Sequence, residues 1–376
     1  MKMERGPLIF SASIGNGHNQ AAKALQVEFQ NKGYQPEIID TFYSLSPALH
    51  KFMLTSYVNL LKVGPRIWKK IYFQAEKYPL FLFLDQFATF FVESLHATVK
   101  SNRCSFLVST HPFVTAFLVR LKSKKQLNLP LYTVITDFVL HPAYLRPEID
   151  GYFTSDPNFT DFAKLNNVSD DRFFPTGIPI PNLESIDQPK WKVRNDLGLD
   201  PQRKVLIIAG GGIGLTNYAQ VIRALECLPE PIQLLCMIGH NYQVKEKISR
   251  IKSKHELKVI EFTDKFLLYL KASDAILSKA GGLTMAESLV CETPIIIHQP
   301  VPGHEEHNAK FLIDAGAALR VKGSKEIPTT IKRVLYEEAC FGPMIENARK
   351  LKKPNAANEI VEQMLLLVKE QQHAFR

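Results

Sequence analysis

Two glycine-flanked stretches hold the residues of this 376-residue chain that could do chemistry. The first, Ile14-Gly-Asn-Gly-His18, follows the apolar run Pro7 to Ser13 and precedes an amphipathic one, Asn19 to Lys32. A histidine at a strand end and a helix N-terminus lies in the positive field of the helix dipole. That field disfavours imidazolium and leaves a neutral ring able to take a proton. The flanking glycines Gly15 and Gly17 clear space above it; the other reading is a polar loop residue making a capping contact. The second stretch is Ser278-Lys-Ala-Gly-Gly-Leu-Thr-Met-Ala-Glu287. Gly281 and Gly282 supply a tight turn whose bare N–H groups suit an anion at the next helix tip. Glu287 falls about one turn into that helix, where a carboxylate suits a ribose diol, whose two hydroxyl donors need an acceptor. An ordinary strand-to-helix turn, its glycines only permitting close packing, fits the same spacing.

The elements that must position these residues alternate. Pro7–Ser13 reads as a buried strand, Asn19–Lys32 as a helix ended by Gly33, and Gln35–Asp40 as a second strand, so the sheet should be parallel. His18 then sits at the carboxyl edge of strand 1, the side of an open α/β sheet where ligands bind. Ser105–Ser109 and Leu131–Thr136 are further strands. The latter delivers Asp137 and His141 to the same edge, either as part of an acceptor site or as helix caps. Gly177-Ile-Pro-Ile-Pro181 reads as a stiff interdomain linker. From Trp191 the alternation restarts: a strand at Val205–Ala209, the turn Gly210-Gly-Gly-Ile-Gly214, strands at Gln233–Ile238 and Lys258–Phe262, and then the stretch at Ser278. A last helix, about Asn355 to Lys369, follows Pro354 with no strand after it. The expected domains are 1–182 and 183–354, with the terminal segment 355–376 packing back on the first.

Composition bounds the partners. A hydrophobic content of 45% with 22% charged residues belongs to a globular protein with real cores. The net charge of +9 favours anionic partners without choosing among nucleic acid, anionic lipid and phosphorylated substrates. Five scattered cysteines predict reduced core residues in a cytoplasmic protein, with no Cys/His cluster for zinc. The longest apolar run, Leu80 to Val92, is broken by Asp85 and Gln86 and falls short of a membrane span, so any membrane is met from its surface.

Residues 42–100 differ from their surroundings. They hold 13 of the 38 aromatics, and the span from His50 to Leu80 carries six Lys or Arg, among them Lys62, Arg66, Lys69 and Lys70, against the single acid Glu76. Pro65 and Pro79 divide the segment into three expected helices. Aromatic residues such as Trp68 mixed with cations suit an interfacial segment on anionic lipid; a helical subdomain with a solvated basic face is the alternative. Neither Gly15-Asn-Gly17 nor Gly212-Ile-Gly214 completes a dinucleotide fingerprint. No P-loop and no Asp-x-Asp metal motif occurs.

Taken together, Ser13-Ile-Gly-Asn-Gly-His18, Thr136-Asp137 with His141, Gly177-Ile-Pro179, Ser278-Lys-Ala-Gly-Gly-Leu-Thr with Glu287, and Pro302-Gly-His-Glu305 resemble the monogalactosyldiacylglycerol synthase and processive diacylglycerol glucosyltransferase family. The resemblance, more distant to the lipid II N-acetylglucosaminyltransferase, spans both halves in order. It implies an α/β GT-B fold of two Rossmann-like doubly wound domains facing a central cleft. It also implies inverting, metal-independent transfer of a hexose from UDP-glucose or UDP-galactose to diacylglycerol, with no cofactor, at the inner face of the cell membrane. Carried over, it makes His18 the base, with Asp137 beside it. Gly281, Gly282, Thr284, Lys279, Gly212 and Gly214 fall at the diphosphate, Phe262 at the uracil, Glu287 at the ribose, and His304 and Glu305 at the sugar. Gly17 and His141 fall on the acceptor side, and the aromatic, basic segment docks on anionic membrane. The family loop usually reads Pro-Gly-Gln-Glu; histidine at 304 loses one of glutamine's two hydrogen-bonding ends, which leaves the donor sugar open. Two rivals stand beside this reading: a UDP-sugar epimerase on the same scaffold, and a non-catalytic lipid- or nucleic-acid-binding protein. Nothing resembles a nucleic-acid module.

Overall fold

The computed structural model of the protein describes residues 4–13, 15–77, 81–156, 158–165, 168–181 and 183–374. The chain divides into two compact units. One comprises Met1–Pro181 with Pro302–His304 and Pro354–Arg376; the other comprises Asn182–Val301 and Glu305–Lys353.

The first unit begins with β1 (Glu4–Ser11), α1 (Asn16–Asn31) and β2 (Tyr34–Asp40), then five helices: α2 (Thr41–Leu45), α3 (Pro47–Val63), α4 (Pro65–Lys77), α5 (Phe81–Ala88) and α6 (Val92–Asn102). It continues with β3 (Leu107–Ser109), α7 (Pro112–Lys125), β4 (Leu131–Val134), β5 (Gly151–Phe153), α8 (Phe159–Leu165) and β6 (Phe173–Phe174). Its sheet is wholly parallel, ordered β2-β1-β3-β4-β5-β6, with Leu8 opposite Leu107 and Leu107 opposite Leu131. Such strands are buried on both faces. One face packs Leu8, Phe10, Leu107 and Leu131 under the helices around Phe42, Leu95 and Phe117. The other packs Ile9, Val108 and Val134 with Leu25 and Phe29.

The second unit runs α9 (Lys190–Asp196), β7 (Val205–Ala209), α10 (Tyr218–Leu225), β8 (Gln233–Gly239), α11 (Tyr242–Ser249), β9 (Glu256–Glu261), α12 (Phe266–Ala272), β10 (Ala275–Ser278) and α13 (Gly282–Val290). It ends with β11 (Ile295–His298), α14 (His304–Asp314), β12 (Ala318–Val321), α15 (Ile327–Tyr336) and α16 (Glu338–Leu351). Its parallel sheet is ordered β12-β11-β10-β7-β8-β9. Leu206, Ile208, Leu234 and Leu277 anchor its core. The closing helix α17 (Ala356–Ala374) belongs to the first unit, where Ile360, Val361, Met364 and Val368 join the core of α1 and β1.

Three expectations need correcting. Among the described residues the segment after β2 holds five α-helices rather than three. Asp40 accepts the Tyr43 N–H to start α2, Ser46 accepts the Leu49 N–H with Pro47 opening α3, and a short 3-10 turn at Thr89–Phe91 separates α5 from α6. Helix α1 starts at Asn16 rather than Asn19, because Gly15 turns the backbone at φ 92° and places His18 inside the first helical turn. All five cysteines are unpaired, but only Cys236 is buried and Cys227 is exposed, so they are not a set of core residues.

Candidate active site

In each sheet the chain leaves the first strand on one side and later returns on the other. This creates a topological switch point, between β1 and β3 in one unit and between β7 and β10 in the other. The residues of interest lie just beyond the carboxyl ends of those strands, where doubly wound sheets bind ligands.

In the first unit the loop after β1 is pinned before it reaches His18. Ser13 hydrogen-bonds Asp40 and accepts Asn19 Nδ2 at 2.8 Å, and Ser11 Oγ donates to Asn19 Oδ1 at 2.6 Å. His18 then points its Nδ1 at the Thr110 carbonyl, 2.6 Å away, with Thr136 Oγ1 3.0 Å from the same nitrogen. A carbonyl oxygen can only accept, so Nδ1 carries the hydrogen and Nε2 keeps its lone pair. Burial holds the imidazole below its ordinary value of 6.5, while the Asp137 charge and the Thr110 bond pull the other way. The ring is therefore neutral at pH 7. Burial is the largest cause. Asp137 follows β4 and is half-buried. Gly17 precedes His18 within the first turn of α1.

One residue here was not singled out from the sequence. His111, only 4% exposed, lies edge-on to His18 with ring centroids 4.4 Å apart. Its Nδ1 accepts the Phe113 N–H at 3.1 Å, capping α7, and burial holds its pKa well below 6.5. A second neutral ring thus backs the first without competing for its proton. The available signal was the strand end Thr110-His111-Pro112, where a polar residue before a helix-opening proline is a cap. His141 is also a cap, accepting the Ala143 N–H at 3.0 Å, and its ring lies 4.7 Å from Tyr72. On α4, Arg66, Ile67, Lys69 and Lys70 are exposed, and Trp68 Nε1 donates to the Pro302 carbonyl at 2.9 Å. The Lys62 side chain lies outside the described residues.

In the second unit the two glycine turns meet over a lysine. Gly211 and Gly214 have φ of 70° and 60°. A Cβ at Gly214 would stand 2.4 Å from the Ile238 carbonyl oxygen, so only glycine fits that close approach. The Lys279 stem crosses Gly211, where a Cβ would lie 2.7 Å from Cε. Its ammonium pairs with Glu305, which is 2% exposed and whose other oxygen accepts the Val301 N–H at 2.7 Å. Glu305 is therefore already engaged, and the lysine is held rather than swinging. Gly281 differs from the expected tight turn: its φ of −67° is ordinary, and a Cβ there would meet Glu305 at a comfortable 3.7 Å. What the pair Gly281-Gly282 provides is bare backbone at the start of α13, with Thr284 in its first turn. Phe262 anchors its N–H on the Gly239 carbonyl at 3.1 Å, and its ring stacks on His240 at 4.5 Å and 16°. His240 was also missed, since nothing in the sequence pairs it with Phe262. Glu287 is 7% exposed, its carboxyl side chain accepts no hydrogen bond from any described residue, and burial alone raises its pKa to about 8. Among the described residues no group of three or more His, Cys, Asp or Glu could hold a metal ion.

Comparison with known proteins follows this division of labour. Residues 18–180 match the family described as monogalactosyldiacylglycerol (MGDG) synthase, and residues 205–364 match the glycosyltransferase family 28 C-terminal domain. The first part of the chain thus carries a monogalactosyldiacylglycerol synthase domain and the second a glycosyltransferase family 28 C-terminal domain. The first match opens on His18 itself; the second covers both glycine turns, Glu287 and His304. A relative, a processive diacylglycerol beta-glucosyltransferase of Bacillus pumilus, is 27% identical over 97% of this chain and 96% of its own length. Among solved structures, CalG4, the calicheamicin glycosyltransferase, aligns at a TM-score of 0.65 and 12% identity over 98% of this chain and 99% of its own. A putative UDP-N-acetylglucosamine 2-epimerase from Listeria monocytogenes aligns at 0.62 and 14% identity over 96% and 95%. The fold of the chain is thus GT-B, and the fold by itself does not separate transfer from epimerisation.

Proposed function

We propose that this chain is an inverting glycosyltransferase that moves a hexose from a UDP-sugar to diacylglycerol at a membrane surface. The observation that carries the reading is the tautomer of His18: Nδ1–H is committed to Thr110, which leaves Nε2 as a neutral base at pH 7. In the reaction, the acceptor hydroxyl gives its proton to Nε2 and its oxygen attacks the anomeric carbon. The bond from that carbon to the diphosphate oxygen breaks on the opposite face, and UDP leaves with the electron pair. Asp137 stabilises the imidazolium that forms, as its charge already favours that state. Backbone N–H groups at Gly282, the start of α13, and at Gly212, with Thr284 and the fixed Lys279 ammonium, offset the charge growing on the diphosphate, while the Gly281 and Gly214 N–H groups hold the two turns in shape by bonding to Lys279 and Gly211. Glu287 accepts the two ribose hydroxyls, the backbone at Phe262 reads the uracil edge, and His304 meets the sugar, with Gly17 and His141 on the acceptor side.

The same reading assigns 1–182 with the terminal helix to acceptor and membrane, and 183–354 to the UDP-sugar. The exposed apolar side chains Phe52, Val63, Ile67 and Phe90, together with the exposed cations Arg66, Lys69 and Lys70 of α4, support lipid docking from the surface, on the inner face of the cell membrane. No described helix is long and apolar enough to cross a bilayer. The test is UDP release from UDP-glucose and UDP-galactose, each with and without diacylglycerol in anionic liposomes. Lipid-dependent release with one donor is expected. Release that ignores lipid would favour epimerisation, and none with any donor would end the transferase reading.

A further inference from the structure

Helix α4 has two faces with different partners. Outward it presents Arg66, Ile67, Lys69 and Lys70. Inward it presents Trp68 and Tyr72, four residues apart and so on one side of the helix. Both inner rings grip the short turn Pro302-Gly303-His304 that belongs to the same unit. Trp68 Nε1–H donates to the Pro302 carbonyl at 2.9 Å. The Tyr72 ring lies flat on Gly303, whose φ is 99° and where a Cβ would stand 2.6 Å from the ring. Tyr72 then reaches the His304 ring at a centroid distance of 6.2 Å. Each gripping ring is itself backed. Tyr57 of α3 packs edge-on to Trp68 at 5.6 Å, and His141, fixed by its cap bond to Ala143, lies 4.7 Å from Tyr72.

We propose that Trp68 and Tyr72 are positioning residues for His304, setting the turn that reads the donor sugar from the helix whose outer face meets lipid. Gly303 makes this grip possible, since any side chain there would push the ring away. Without the two rings the turn has neither its carbonyl anchor nor the wall behind His304, and the imidazole loses its fixed direction. This rests on the proposed meeting of His304 with the sugar. A group that orients only the sugar reader affects UDP-sugar binding and leaves UDP binding, which depends on Glu287 and the glycine turns, unchanged.

The experiment is calorimetric titration of the full chain with UDP and with whichever of UDP-glucose and UDP-galactose binds wild type better. Trp68→Phe, which keeps the ring and removes the donor, is expected to weaken UDP-sugar binding about 5-fold, as for a lost neutral hydrogen bond, with UDP unchanged within about twofold. Tyr72→Leu should do the same, and Tyr72→Phe should restore it. In a His304→Ala background Trp68→Phe should have no further effect, and sedimentation with anionic vesicles should be unaffected. Equal weakening of UDP and UDP-sugar, or an undiminished Trp68→Phe effect without His304, would overturn the positioning role while leaving the proposed function intact. A wild-type chain that binds neither ligand would count against the proposed function itself and take this inference with it.

Discussion

Glu287→Gln isolates the consequence of keeping an unpaired carboxyl inside the C-terminal unit. The wild-type group ionises near 4.5 when the chain is unfolded and near 8 when folded, with burial as the cause. Between those values the folded state holds a proton that the unfolded state has released. Stability is therefore fully present below the unfolded pKa and declines as pH rises through the folded one. A separation from 4.5 to about 8 amounts to roughly 5 kcal/mol once both states are ionised, and about 3 kcal/mol at pH 7. Glutamine has nearly the same shape and no charge to desolvate. The expected result is a variant close to wild type at pH 5 and more stable by roughly 5 kcal/mol at pH 9. The assay is urea unfolding followed by circular dichroism at a series of pH values, taking the transition of the unit that carries the residue. The variant-minus-wild-type difference cancels every other titrating group. A difference that stays flat from pH 5 to 9 would refute the reasoning. Function should move the other way. UDP should bind wild type more tightly as pH rises towards 8, because only the carboxylate accepts from both ribose hydroxyls. The variant should bind about 10- to 100-fold more weakly with no such slope, as for loss of a hydrogen bond to a charged group.

His18→Ala should leave UDP affinity nearly intact and cut lipid-dependent turnover at least about 100-fold, measured as UDP release; near-normal turnover would remove His18 from the base role. Because burial lowers the His18 pKa, the wild-type rate at saturating UDP-sugar should hold as pH falls past 6.5, the ordinary imidazole value, and drop only at lower pH, as read from a pH–rate profile. Replacing Arg66, Lys69 and Lys70 with Ser should reduce sedimentation with anionic vesicles, increasingly so at low salt, without changing UDP affinity. A chelator should leave the initial rate unchanged; a loss restored by a divalent cation would show that the diphosphate charge is not offset by the chain alone.

The parallel sheets were legible because their strands are short unbroken apolar runs separated by amphipathic ones, as at Val205–Ala209 and Leu131–Val134. The placement of His18 at a strand end followed from the same pattern. What the pattern could not reveal was which side chain turns towards which. The tautomer of His18 depends on Thr110, 92 residues away, and the second histidine became visible only when β1 and β3 lay side by side. The pairing of Lys279 with Glu305 likewise joins two loops that spacing alone treats as separate. The helices after β2 were miscounted because their boundaries rest on caps at Asp40 and Ser46, which compete with propensity over a single turn.

Helix α17 has a consequence for how the molecule is made. Ile360, Val361, Met364 and Val368 complete the face of the first sheet that carries Ile9 and Val108. During synthesis that face is translated first and covered last. The nascent amino-terminal half therefore leaves the ribosome with that face only partly covered, by Leu25 and Phe29 of α1, and the apolar remainder waits for the whole second unit to emerge. A chain cut short after Lys353 would stay in that state permanently. Its expected fate is chaperone capture or aggregation rather than an independently soluble half, although the missing segment contains none of the residues assigned to the chemistry.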